Sequence, residues 1–275
     1  MIFHLDHMFL GFGEKGRFDP ELYDWNDVKA IFREWYKAMG DLGWLSVFLD
    51  NHDFPRMVSR FGNDTQYRVE SAKMLATLVL TMPGTPCIYQ GSEIGMTNVQ
   101  FKAMADFRDV ETLNFYKQMT GEGMSQETFI DLANKYGRDN VRTPMQWDAS
   151  AHAGFTKGTP WIGLNDNYKE VNVKECIESE DSILHFYREL IAFRKKTPAM
   201  VYGKWIEHLQ SNEDLYIYSR VYENEAYLIV LNHSDRRNEL DISAFHLKSL
   251  VLTNWKSVQP GFMNPWECRL YKLDL

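Results

Sequence analysis

Asn51, His52 and Asp53 stand together at the carboxyl end of an apolar run, Trp44, Leu45, Val47, Phe48 and Leu49. The side chains in that triplet can accept, donate and carry charge within three residues of one another. Chemistry in parallel α/β proteins is placed outside the carboxyl ends of the strands, which is where this triplet falls. Asp53 has a plain alternative, since a carboxylate here also serves as a turn residue or helix N-cap. Asp50 and Glu93 sit at strand ends too. A pair of arginines further on, Arg138 and Arg142, offers planar five-donor forks that suit carboxylates. His4, Asp6 and His7 crowd the end of another short apolar run, but no further ligands follow at a spacing that makes a metal site.

The elements that must position these groups read strand, helix, strand, helix, strand over residues 1–93. Ile2–Leu5 is a short strand and residues 9–24 form a loop. Trp25 to Met39 carries Val28, Ile31, Phe32, Trp35 and Met39 at helical spacing, with Gly40 as the stop. The strand 44–49 follows. Glu70 to Leu80 is a second apolar helix, broken by Met82-Pro83-Gly84-Thr85-Pro86, and Cys87-Ile88-Tyr89 is a third strand. This is the grammar of a parallel sheet. Residues 95–180 have few periodic segments and read as a long excursion. Ser182 to Lys195 is a strongly patterned helix.

After Pro198 the grammar changes. Runs at Val201–Glu207, Leu215–Val221, Ala226–Leu231, Leu247–Leu252 and Glu267–Leu273 alternate with turns such as Ser211-Asn212-Glu213-Asp214. Short strands without helices between them predict an antiparallel β-sandwich, with the domain boundary near residue 198. The sequence therefore divides into 1–198 and 199–275.

The chain has 275 residues, 44% hydrophobic and 14% aromatic, with a net charge of −8. That is enough for one large or two smaller cores. The acidic balance gives no footprint for nucleic acid. No apolar run approaches the roughly 20 residues of a membrane span. The three cysteines, Cys87, Cys176 and Cys268, have no paired spacing and read as free thiols in a reducing cytoplasm. The first twelve residues lack the pattern of a signal peptide, so a cytoplasmic location is expected.

An ordered series of motifs extends the strand-end triplet. Phe48–Arg56 is followed by Val58-Ser59-Arg60-Phe61-Gly62-Asn63-Asp64, then Gly84-Thr85-Pro86, Ile88–Asn98, and Arg138–Asp148. The series resembles the oligo-1,6-glucosidase and dextran-glucosidase branch of the α-amylase superfamily, glycoside hydrolase family 13. That branch includes trehalose-phosphate hydrolases and sucrose isomerases. The resemblance implies an α/β fold: strands six to eight of a (β/α)8 TIM barrel, followed by a β-sandwich. It implies that this chain corresponds to a C-terminal half. The nucleophile and the acid/base carboxyl lie at the ends of strands four and five, and neither is matched here. No cofactor is expected, because the calcium site of some relatives also lies in the unmatched half.

By the same resemblance, Asp53 is the third carboxylate, which grips two hydroxyls of the glucosyl ring and strengthens its hold as an oxocarbenium-like transition state develops. His52 is a neighbouring hydroxyl ligand. Arg142 holds the non-reducing end, with Arg138 as the nearby competitor. Phe54 stands where relatives often carry a polar residue and borders the leaving-group subsite. Glu93 belongs to the strand-eight turn rather than to the proton donor. The stretch His4-Leu5-Asp6-His7-Met8 lacks the paired arginines of sucrose isomerases, which disfavours isomerisation. The implied function is that of a retaining α-glucosidase acting on short oligosaccharides, with the isolated chain inactive. The alternatives are a non-catalytic sugar-binding remnant, or part of a trehalose-phosphate hydrolase or a glucosyl-transferring relative. The expected partners are the oligosaccharide and a complementary N-terminal fragment or a second copy meeting the open barrel edges.

Overall fold

The computed structural model describes residues 1–40, 42–208 and 213–274. Ser211 and Asn212 of the expected turn lie outside the described residues.

Three segments run parallel. Ile2 bridges Leu45, and Ser46–Val47 pairs with Thr85–Pro86. The middle strand is therefore the one that ends in the Asn-His-Asp triplet. The helices Trp25–Met39 and Arg68–Thr81 make the two crossovers. The first is set by its cap: Asp24 accepts from the amides of Asn26 and Asp27, and Asp27 reaches back to the amide of Asp24. In the second, residues 71–81 are all buried. A helix that is apolar all round must be covered all round, and two layers cover it. The helix Ile183–Lys196 packs on one side, and the C-terminal sheet lies on another, where Thr77 Oγ1 donates to Cys268 Sγ (3.1 Å) and the hydroxyls of Thr81 and Tyr218 are 2.6 Å apart.

The C-terminal sheet has five antiparallel strands, ordered Lys204–His208, Leu215–Tyr222, Glu225–Asn232, Cys268–Leu273 and Leu247–Thr253. Strand period 2 divides its side chains cleanly. Tyr216, Tyr218, Ile229, Leu231, Cys268 and Leu270 join the main core beneath the helices. Leu215, Ile217, Leu228, Val230 and Tyr271 face the other way, where they meet Leu240 and Met263 beside the small ribbon of Asn238–Glu239 and Phe262–Met263.

Several sequence expectations are corrected. The third parallel strand is at Thr85–Pro86 rather than 87–89, although the amide of Cys87 still donates to Val47 O (2.8 Å). Only Ile2 of the first run bridges, because a helical turn begins at Asp6. The loop 9–24 contains a hairpin, Phe12–Gly13 with Gly16–Pro20. The run at 201–207 is split: Pro198 starts a short helix, Pro198–Tyr202, before the strand begins at Lys204. The two longer helices of the excursion are Val110–Gly121 and Gln126–Tyr136, capped by Asp109 and Ser125. With Phe18, Phe101 and Phe107 they build a core of their own. His4 and His7 are buried against Phe32, and Asp6 accepts from the Trp35 indole instead (2.6 Å). Among the described residues no cluster could hold a metal ion, and no helix is long and apolar enough to cross a membrane.

The sheet is joined to the barrel segment through Arg220, which is 0% exposed. It donates to the carbonyls of Gly203 (2.9 Å), Val201 (3.4 Å) and Thr81. Burial, then the nearby Arg194 charge, pushes its pKa down to about 10, so it stays protonated at neutral pH. Arg220→Ala leaves buried carbonyls without donors. It is expected to lower stability by on the order of 3 kcal/mol, read as a fall in the urea midpoint with an unchanged slope.

Candidate active site

Asn51 shapes the loop that carries the triplet. Its side-chain Oδ1 accepts from the amide of Asp53 (2.8 Å), and its backbone bridges Phe54. This is an Asx-type turn, which satisfies the backbone where the strand must stop. Two groups support the turn from below. Asp50, 4% exposed, accepts from Ser92 Oγ (2.8 Å) and from the Met57 amide (3.3 Å). Arg56, 1% exposed, donates to the carbonyls of Gln90 and Val141 and lies over the Tyr89 ring. The ends of the second and third strands are thus tied to each other and to the excursion.

Above this base the structure gathers alternating charges. Arg142 Nη2 and Arg138 Nη1 both reach Asp53 Oδ1, at 3.0 and 3.4 Å. Arg142 also donates to Asp109 Oδ1 (3.0 Å) and to the His52 carbonyl (3.0 Å). Arg138 holds Glu111 through Nε (2.9 Å) and Nη2 (2.8 Å). Arg17 Nε meets the same Glu111 oxygen at 2.8 Å. Three guanidinium groups therefore face three carboxylates. Burial opposes the charge on Arg138, but the hydrogen bond and charge of Glu111 outweigh it and raise its pKa. Arg17 is more enclosed, and burial lowers its pKa despite Glu111.

The two oxygens of Asp53 differ. Oδ1 is pinned between arginines. Among the described residues, Oδ2 has only His52 Nε2 beside it, at 3.3 Å, and the side chains of Asp53 and His52 are 39% and 72% exposed. Asp53 and His52 thus present one carboxylate oxygen and one imidazole to an incoming polar ligand. The other carboxylates are committed. Asp109 Oδ2 accepts from the amide and hydroxyl of Thr112 as the helix N-cap. Glu93 accepts from the amide of Gly91 (2.7 Å). Asp50 is buried.

The sequence-derived site residues Asp53, His52, Arg142 and Arg138 come together. Phe54 does not join them. It is 4% exposed, stacked on Phe12 and edge-to-face with Phe9, with the Arg17 and Arg60 guanidiniums over its ring. An apolar ring at the foot of a polar loop is driven inward, so Phe54 props the loop from inside rather than bordering an open subsite. Three further members, Arg17, Asp109 and Glu111, are not found by the motif reading. Asp109 had a visible signal, an acidic N-cap before a helix. Arg17, between Gly16 and Phe18, had none.

Residues 1–203 match the α-amylase catalytic-domain family model. The chain belongs to the α-amylase family. It is 48% identical over 282 residues to an oligo-1,6-glucosidase of Bacillus cereus, covering 99% of this chain and 50% of that protein. To the oligo-1,6-glucosidase of Halalkalibacterium halodurans it is 43% identical over 279 residues, covering 98% and 50%. A solved trehalose-6-phosphate hydrolase of Bacillus licheniformis superimposes with a TM-score of 0.93 at 35% identity, covering 100% of this chain and 51% of that one. The chain spans about half the length of the curated relatives it matches. Its fold is the C-terminal part of a (β/α)8 barrel followed by an antiparallel sheet domain.

Asp50 gives a test of the base of the site. Burial raises its pKa from 3.8 to about 6, against the pull of Arg56 and Ser92. The folded state holds this proton more tightly than the unfolded chain. Folding is therefore favoured as pH falls from about 6 towards 3.8, and above 6 the cost of the buried charge is constant, at about 3 kcal/mol. Asp50→Asn keeps an acceptor and removes the charge. It is expected to raise stability at pH 7.5 and to flatten the rise between pH 6 and 4, measured as the difference in urea midpoints across that range. Parallel profiles for the two proteins would refute the assignment.

Proposed function

We propose that this chain is the C-terminal portion of a retaining α-glucosidase that hydrolyses short oligosaccharides in the manner of the oligo-1,6-glucosidases. Asp53 is its transition-state stabiliser. The observation that carries the reading is the asymmetry of Asp53, with Oδ1 pinned by Arg142 and Arg138 and Oδ2 left beside His52. A carboxylate held this way can grip ring hydroxyls with a fixed oxygen, and its hold tightens as the ring becomes cationic. Arg142 and Arg138 fix the carboxylate and frame the non-reducing end. Residues 1–198 form the barrel portion and 199–275 the sheet domain. A cytoplasmic location accords with three free cysteines.

Retaining hydrolysis needs a nucleophile and an acid/base carboxyl about 5–5.5 Å apart. The carboxylates beside Asp53 are occupied by arginines or an N-cap, so those groups come from a complementary N-terminal portion. The barrel edge is ready to meet it: Ile2, Phe3, Leu5, Phe9 and Ile88 are all exposed apolar side chains. Self-association through the same edge is the competing use of that surface. The trehalose-6-phosphate hydrolase likeness makes a phosphorylated disaccharide the second substrate to test.

Alone, the chain is expected to turn over neither nitrophenyl α-glucoside nor isomaltose. Co-expressed with the N-terminal half of an oligo-1,6-glucosidase, it should release glucose with retained α configuration, seen by NMR of the first product. Asp53→Asn should then cut turnover by about 10²–10⁴-fold, the value of two charge-assisted hydrogen bonds, while assembly is unchanged. Assembly without any turnover would favour a sugar-binding remnant. Full turnover in Asp53→Asn would remove Asp53 from its role.

A further inference from the structure

We infer that Arg17 is a positioning residue that locks the Asp53 loop, a role that rests on the proposed function of Asp53. The hairpin Phe12–Gly13/Gly16–Pro20 presents alternate residues to opposite sides. Phe18, 0% exposed, enters the core of the excursion and meets Phe115 and Phe129 with ring centroids 5.3 and 5.1 Å away. Its neighbour Arg17 must then point the other way, towards the loop. There its Nη1 donates to the backbone carbonyl of Asp53 (2.9 Å) and to that of Tyr136 (3.2 Å). Its Nε meets Glu111 Oε2 at 2.8 Å. The guanidinium lies 5.3 Å from the Phe12 ring centre and 5.5 Å from that of Phe54.

These contacts close a circuit. Arg17 fixes the Asp53 backbone. Glu111 is held by Arg17 and in turn holds Arg138, and Arg138 reaches the Asp53 carboxylate. Backbone and side chain of one residue are thus referred to the same anchor, which four separate segments share: the hairpin, the strand-end loop, the helix start at Glu111 and the end of the helix at Tyr136. A lysine cannot replace it. One ammonium on a flexible stem cannot serve two carbonyls and a carboxylate in fixed directions.

The test compares Arg17→Ala, Arg17→Lys and the hairpin-tip control Lys15→Ala, whose exposed partner is Glu122. In the chain as it stands, amide exchange at Asp53 should quicken at least about tenfold in Arg17→Ala, beyond any change at Tyr218 in the central sheet, and the slowed Arg138 Nε–H signal should be lost. In the assembled enzyme, kcat on isomaltose should fall at least about tenfold with KM little changed, because a displaced Asp53 costs more in the transition state than in the ground state. Arg17→Lys should fail similarly, ethylguanidinium should recover part of kcat in Arg17→Ala, and Lys15→Ala should match the wild type. Unchanged exchange at Asp53, or a loss confined to KM, overturns the inference. If Asp53→Asn is inactive while Arg17→Ala is not, the inference falls and the role of Asp53 stands. If Asp53→Asn keeps full turnover, both fall.

Discussion

A guanidinium shut away from water has five N–H donors to satisfy and no acceptor to offer, so the backbone around it must bring carbonyls to it. This protein meets much of that demand, although Arg56 Nε and Arg60 Nη1 keep no partner among the described residues. Arg60 takes the carbonyls of Met8 and Leu10. Arg56 takes those of Gln90 and Val141, and Arg194 those of Leu80, Met82, Gly84 and Met200. In each case the carbonyls belong to loops and helix ends that no sheet ladder satisfies. The parallel pairing is short, two residues on each side. What holds the strand ends in register is a set of side-chain forks that reach from one connection to the next.

The same device becomes the site when its acceptor is a side chain that faces outward. Arg142 and Arg138 approach Asp53 as Arg56 approaches the carbonyl of Gln90, but the far side of Asp53 is open to solvent beside His52. A carboxylate held only by water would reorient on contact with a sugar. One held by two guanidiniums, with its own amide fixed by Asn51, has already lost that freedom. Structural cross-linking and preorganisation are one arrangement, differing only in what the last acceptor faces.

Much of this was legible in the sequence, for identifiable reasons. The helix Trp25–Met39 was found to the residue because its period and cap agree. The strand ending at the triplet was legible because an apolar run meets a polar cluster abruptly. The third strand was displaced by two residues because its pairing begins on the Thr-Pro of a segment that reads as a breaker. Of the excursion's longer helices, Val110–Gly121 buries only Thr112 and Met119, which weakens its apolar stripe, whereas Gln126–Tyr136 carries a legible one in Phe129, Ile130 and Ala133 that was missed. At the site, the motif supplied Asp53, His52, Arg138 and Arg142 but misplaced Phe54. It could not supply Arg17, since nothing local distinguishes an arginine that turns inward from one that does not. That choice is made by Phe18, one residue on, and by a core built from residues far along the chain, Phe115 and Phe129 among them.

The helix Arg68–Thr81 has a consequence for how such a chain can be inherited. Its residues 71–81 are buried, with the barrel segment around one part of its circumference and the C-terminal sheet around another. Pro198 divides the chain into two regions by order, but the energy is not divided there, because one helix closes both cores. A recombination event that exchanged the sheet domain for an unrelated one would strip an apolar wall and strand Thr77 and Thr81 without Cys268 and Tyr218. The unit that can be passed intact from gene to gene therefore begins before the helix and ends with the last strand.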